Sequence, residues 1–195
     1  MTEAKSKKAG FTLVEILVVV GVAVALATIA VGFSTSSRDR TRLQIEAAKI
    51  GQLILRAKSL TLATYGDPIP PCGFGFEIDY ALNQYRIFRY AKDVPPPGDF
   101  PCNNIEQLSL VSGRKQDLTE GAQTLLSGVV FKSGGARSLD DVLFVAPDPT
   151  IVLFTEGIPA PDTTAASGVI RLETTDGSGA ITIDVSTAGQ ISFSN

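Results

Sequence analysis

The chain has 195 residues, a net charge of −3 and a pI near 5.0, which leaves room for one compact domain plus a membrane helix and gives no global attraction to nucleic acid. It contains no histidine and no tryptophan, so Ser-His-Asp and Cys-His catalysis are excluded and the commonest metal ligand is missing. Its 2 cysteines permit one disulfide and no zinc site of their own.

Residues 1–10 are polar and lysine-rich and read as a leader. From Phe11 to Ser37 the only charge is Glu15, and Ile16 to Ser37 is mostly Val, Ala, Leu and Ile. A helix over that uncharged stretch reaches roughly 33 Å, enough to cross the hydrocarbon core of a bilayer. Residues 11–37 are therefore expected to be a membrane-embedded half-helix that stays attached, since no small-residue cleavage site follows the apolar run. Glu15 lies at the edge of this run, either solvated at headgroup level or a functional intramembrane acid. Lys5, Lys7 and Lys8 before the run are balanced by Arg38, Arg40 and Arg42 after it, so charge alone does not orient the span.

The helix is expected to continue through residues 38–65. Leu43, Ala47, Ile50, Ile54 and Ala57 recur at steps of three and four and form an apolar stripe. Arg40, Gln44, Glu46, Lys49, Gln52, Arg56 and Lys58 are assigned to the other faces. Tyr65-Gly66-Asp67-Pro68 is the stop signal, a glycine suited to a C-terminal cap and a proline that cannot continue the helix. Gly21, Gly32 and Gly51 each cost about 1 kcal/mol relative to alanine inside a helix. They mark either close packing against another element or a point where the helix bends.

Residues 66–195 read as a β-rich head of seven to nine strands. Phe74, Phe76, Ile78 and Tyr80 alternate with Gly75, Glu77 and Asp79, the period of a half-buried strand. After a turn at Ala81-Leu82-Asn83-Gln84 the chain returns as Tyr85–Tyr90. Val94-Pro95-Pro96-Pro97-Gly98-Asp99 is a loop, because consecutive prolines cannot donate to a ladder. Weaker strands are expected at 105–111, 128–132, 142–145 and 151–154. The clearest late hairpin is 168–174 with 180–185, followed by a last strand at 190–194. No repeat, zinc pattern or phosphate-binding loop is present, and no cofactor is expected.

Lys7-Lys8-Ala9-Gly10-Phe11-Thr12-Leu13-Val14-Glu15, with the apolar run directly behind it, resembles the N-terminal motif of the type IV prepilin and pseudopilin family. The resemblance implies an α+β, pilin-like fold: a long N-terminal helix, transmembrane in its first half and amphipathic in its second, packed on an antiparallel β-sheet or β-sandwich head. It implies cleavage between Gly10 and Phe11 by prepilin peptidase, N-methylation of Phe11 by the same enzyme, and a role for Glu15 in assembly. It implies a single-pass protein of the inner membrane, leader in the cytoplasm and head outside. The implied partners are other pilin or pseudopilin subunits, prepilin peptidase, an inner-membrane assembly platform and the membrane itself. The physical logic agrees: cleavage would place a cationic amine on Phe11 one helical turn from the Glu15 carboxylate, and such a pair is far stronger in low dielectric than in water. Cys72-Gly73-Phe74-Gly75-Phe76 and the terminal Ala188-Gly189-Gln190-Ile191 resemble the minor pseudopilin subset with a β-sandwich head, the GspH/FimT-like group. An extracytoplasmic head permits a Cys72–Cys102 disulfide, the alternative being two separate buried thiols.

Two other constellations bear on function. Arg86, Arg89 and Lys92 stand among Tyr85, Phe88 and Tyr90, a mixture that can bind single-stranded nucleic acid by charge and stacking; the same spacing also reads as core tyrosines with solvated arginines. Asp140, Asp141, Asp148 and Glu156 are the only notable acids for an enzyme reading. They stand in Pro- and Gly-bearing loops without a motif and read as surface acids or Asx turns, so no enzymatic activity is expected. The sequence is read as a structural subunit of a type IV pilus or type II secretion pseudopilus. The alternatives are a DNA-binding minor pilin at a filament tip and a monomeric membrane-tethered binding domain.

Overall fold

The computed structural model describes residues 11–64, 71–91, 115–118, 121–146, 150–158 and 160–195, the side chains of residues 30–36 excepted. The chain falls into two compact units, Met1–Arg38 and Asp39–Asn195. One helix, α1, is assigned over Leu13–Ala63. The described strands are β1 (Gly73–Asp79), β2 (Gln84–Tyr90), β3 (Lys115–Asp117), β4 (Gln123–Thr124), β5 (Val129–Phe131), β6 (Leu139–Val145), β7 (Thr150–Thr155), β8 (Ser167–Thr174), β9 (Ala180–Ser186) and β10 (Ile191–Ser194).

In the second unit the amphipathic stripe of α1 does what its spacing dictates. Leu43, Ala47, Ile50, Ile54 and Ala57 are all buried in the main core. One expectation fails on this helix: Glu46 is not on a solvent face but is 1% exposed. It lies three residues after Leu43 and four before Ile50, which puts it on the apolar stripe itself. Near the helix end Thr61 is also buried, and its hydroxyl oxygen accepts the Phe74 N–H at 3.1 Å while the hydroxyl donates to the Ala57 carbonyl at 3.0 Å. That oxygen fastens the last turn of α1 to the start of β1.

The strands form two antiparallel sheets. The first has the order β3-β2-β1-β6-β7, with β4 also paired to β2; the second has the order β10-β9-β8-β5. Phe74, Phe76, Ile78, Tyr85, Ile87, Val142 and Phe144 of the first sheet share one core with Ile170, Leu172, Ile181, Ile183 and Val185 of the second and with the α1 stripe. The first sheet also buries its opposite face, where Phe88, Tyr90, Leu143, Val145, Val152 and Phe154 cluster around Cys72. Strands buried on both faces lose their alternation, which is why 142–145 and 151–154 read as short apolar runs. The second sheet buries one face only, and β8 and β9 alternate cleanly.

The expected hairpin of β1 and β2 is present, with Phe76 opposite Ile87 and Glu77 opposite Arg86. Its turn places Asn83 at φ 51°, a conformation that asparagine tolerates better than most residues. The Asn83 side-chain oxygen accepts the Phe131 N–H at 2.9 Å and so ties this hairpin to β5. The described strands exceed the expected seven to nine because β3 and β4, sequences KQD and QT, are too short and polar to show a period. The expected strand at 105–111 and the stop signal at 65–68 lie outside the described residues. Of the helical glycines, Gly51 seats the ring of Phe193, whose Cζ would lie 2.7 Å from an added Cβ, whereas Gly21 has nothing within 4 Å. Gly51 therefore serves close packing within the head.

Candidate functional site

The N-terminal segment is built around Thr12. The Glu15 N–H donates to the Thr12 hydroxyl oxygen at 3.3 Å and to its carbonyl at 3.1 Å, and the Ile16 N–H reaches the same carbonyl at 3.3 Å. Thr12 is thus the N-cap of α1 and Glu15 its third helical residue, the Thr-x-x-Glu pattern of a capping box. Glu15 also places a negative charge in the first turn, where the helix dipole favours it. The resemblance assigns Glu15 to assembly; the Thr12 cap is a separate feature, legible in the sequence as Thr-x-x-Glu.

Phe11 is 78% exposed, and Leu13, Val14, Ile16, Leu17, Val18, Val19 and Val20 are all more than half exposed. A helix apolar on every side requires an apolar surrounding that a single chain in water does not provide. Among the described residues no helix is long and apolar enough to cross a membrane. The expected span runs on through residues 30–36, whose side chains are outside the described set, as is Gly10.

In the head, Cys72 is buried and disulfide-bonded; Cys102 and Lys92 lie outside the described residues. The basic-aromatic cluster is not assembled as nucleic-acid recognition would need. Arg86 and Arg89 are three apart on β2, so strand geometry sends them to opposite faces. Tyr85, Phe88 and Tyr90 are buried and offer no ring for stacking. The Arg86 guanidinium is already engaged, by Glu77 and by Asp117 at 2.5 Å.

What the sequence did not reveal is the charge network to which Arg86 belongs. Lys115 of β3 donates to Glu77 of β1 at 2.8 Å and to both oxygens of Asp141 on β6 at 2.9 Å. Its ammonium also stands 5.0 Å from the Phe88 ring centre. These groups floor an open cleft of about 600 Å³, bordered by Tyr80, Leu82, Asp140 and Glu156. Burial pushes the Asp141 carboxyl up to about 6, the Lys115 ammonium only partly opposing it. Burial also acts to raise Glu77, but hydrogen bonds from Arg86 and Lys115 outweigh it and hold that carboxyl below the usual range.

Asp140 and Asp141 lie not in a loop but in β6, and Asp141 is not the surface acid expected, since Lys115 supplies a partner that lets it be buried. The other acids serve loops: Asp140 accepts the Gly157 N–H at 2.9 Å and Glu156 the Gly134 N–H at 2.8 Å. Asp148 is outside the described residues. Among the described residues no group of three or more metal-ligating side chains gathers.

A second buried polar pair joins α1 to the first sheet. The Tyr85 hydroxyl donates to Glu46 Oε2 at 2.9 Å, and burial together with that carboxylate raises the Tyr85 phenol above its ordinary range. Tyr85→Phe removes the donor from a buried carboxyl and is expected to cost about 1–3 kcal/mol in urea unfolding. Tyr85→Phe combined with Glu46→Leu removes both partners and is expected to recover most of that loss, which a double-mutant cycle measures.

Residues 5–31 match the family model of the prokaryotic N-terminal methylation motif. No curated protein matches the chain. Among solved structures, the minor pseudopilin EpsH from the Type 2 Secretion System of Vibrio cholerae is similar at 11% sequence identity and a TM-score of 0.43, covering 78% of this chain and 96% of that one. The chain thus combines a capped helix start with exposed apolar side chains and an α+β unit of two antiparallel sheets. The methylation motif at residues 5–31 is the feature that this chain shares with a known family.

Proposed function

We propose that the chain is made as a precursor, cleaved between Gly10 and Phe11 by prepilin peptidase, N-methylated on Phe11, and polymerised through α1 into a type IV pilus or a type II secretion pseudopilus. Before assembly it sits in the inner membrane with the leader inside and the head outside, and an assembly platform there hands it to its sister subunits. The carrying observation is the methylation motif at residues 5–31, followed at once by a helix start capped by Thr12 and exposed apolar side chains on every face. A disulfide-bonded Cys72 supports the outside placement, because disulfides persist in oxidising compartments. With 2 cysteines in the chain we assign its partner as Cys102, a loop of about 30 residues whose closure contributes roughly 3–4 kcal/mol in the chain-entropy model. The Cys72–Phe76 segment and the terminal hairpin support the minor, β-sandwich-headed subset.

The test is the mass of the protein purified from membranes of cells carrying the whole system. The expected N-terminus is methylated Phe11, and Gly10→Val is expected to leave the leader attached. An unprocessed N-terminus on the wild-type protein overturns the reading.

A further inference from the structure

We propose that the cavity between the second half of α1 and the β8–β9 turn holds the phosphate group of an anionic phospholipid in the leaflet beside the head. The inference rests on the membrane placement proposed above. The cavity encloses about 340 Å³, the scale of a small-ligand site. Its polar lining is Arg40 and Gln44 from α1, Ser178 from the turn and Asn195 after β10, while Leu43 and Ile181 supply the apolar part. A guanidinium, amides and a hydroxyl all offer hydrogen-bond donors, and the guanidinium fork matches two oxygens of a phosphate.

The wall of this cavity is fixed by its own hydrogen bonds. The Gly179 N–H donates to Thr174 Oγ1 at 3.0 Å, the Ser178 N–H to Asp176 Oδ1 at 3.0 Å and the Gly177 N–H to the Thr174 carbonyl at 2.9 Å. A Cβ placed on Gly179 would lie 3.6 Å from Leu43 and 3.8 Å from the Cγ of Arg40, so the stem of Arg40 rests against the turn. Arg42, two residues on, is engaged by the Ser127 carbonyl at 3.1 Å and by Asp39 at 3.4 Å. Arg40 is different. Among the described residues it makes no hydrogen bond or ion pair, with Asp39, Asp176 and Asn195 all included.

Position in the chain supplies the partner. The uncharged run ends at Ser37 and Arg40 stands three residues further, so chain length alone keeps it within about 11 Å of that run. Lipid phosphates lie just outside the hydrocarbon core, in a zone roughly 5–7 Å deep on each side, which a long arginine stem spans. On the proposed orientation Arg38, Arg40 and Arg42 lie outside, against the usual excess of basic residues on the cytoplasmic side. The head itself occupies Arg42; Arg40, with a donor-lined cavity beside it, is left for a headgroup. A filled cavity seats the head on the bilayer surface while the subunit waits there, and the contact is given up when α1 leaves for the filament.

The test titrates dihexanoyl phosphatidylglycerol into the full chain in maltoside micelles and follows the Arg40 side-chain Nε–H and the Ser178 amide by NMR. Both are expected to shift together and to saturate. Arg40→Gln should weaken the binding read at Ser178 by at least about tenfold, the loss of a charge-assisted contact. Arg38→Gln, outside the cavity lining, should change it less than about twofold at physiological ionic strength. A shift that rises without saturating, or equal weakening by the two variants, is diffuse surface charge and overturns the site. Saturation by inorganic phosphate at the same concentrations overturns the assignment to lipid. Should either variant not fold, saturation in the wild-type titration decides alone. The titration does not depend on cleavage after Gly10, so its failure is distinct from failure of the precursor reading, which the N-terminal mass decides.

Discussion

Gly73→Ala is expected to prevent the head from folding. β1 is the centre of the first sheet, paired to β2 on one side and β6 on the other. A Cβ on Gly73 would lie 1.8 Å from the Phe144 carbonyl oxygen and 2.9 Å from its carbon. Overpacking commonly costs about 1–3 kcal/mol because side chains can turn aside. Here the obstacle is the backbone of the paired strand, so relief requires parting β1 from β6, where Gly73 stands opposite Val145. More than about 3 kcal/mol is a large share of the 5–15 kcal/mol that holds an ordinary domain. Gly75→Ala is the graded comparison. Its Cβ meets the Phe88 ring at 2.3 Å and the Val142 oxygen at 2.8 Å, and the ring can yield, so that variant should fold with reduced stability. Circular dichroism in the aromatic region with urea unfolding reads both; a wild-type midpoint for Gly73→Ala contradicts the close approach.

The same two glycines show where sequence reading stops. A glycine inside a strand marks close approach or a bulge, but which backbone approaches is set by β6, nearly seventy residues away in the chain. The helix stripe from Leu43 to Ala57 was legible because helical periodicity is local, and the β1–β2 and β8–β9 hairpins were legible because their turns are short. The polar strand β3 was not, since three residues without an apolar period carry no signal and its place is set by pairing with β2, more than two dozen residues earlier in the chain. Glu46 and Asp141 were misplaced for one reason: charged residues are assigned outward unless a partner is known, and the partners Tyr85 and Lys115 are supplied by other strands. Arg86 and Arg89 were grouped by nearness in sequence, whereas a strand separates residues three apart. At the other end of the molecule everything rests on contiguous residues, and Gly10 to Glu15 and the apolar run could be read directly.

On the proposed function, Glu15→Gln is expected to be inserted and processed normally while filament yield falls on the order of tenfold. The hydrogen bonds to Thr12 come from the backbone amides of residues 15 and 16, so the cap and the start of α1 persist, less the about 0.3–1 kcal/mol that a first-turn charge gains from the helix dipole. Removing a charge also eases entry into the bilayer, so lost insertion would not explain a deficit. What the substitution takes away is the carboxylate that a neighbouring subunit's Phe11 amine would meet. At an effective dielectric near 20 and a separation of about 4 Å such a pair is worth on the order of 4 kcal/mol before desolvation, and retention of only about 1.4 kcal/mol per contact makes a tenfold difference in association. Glu15→Asp keeps the charge and shortens its reach by one methylene, so its yield should fall between the other two. Filament counts, membrane fractionation and the N-terminal mass are read from the same cells. If Glu15→Gln assembles as well as the wild type while carrying methylated Phe11, the amine–carboxylate register is wrong and α1 must find its neighbours by apolar packing alone.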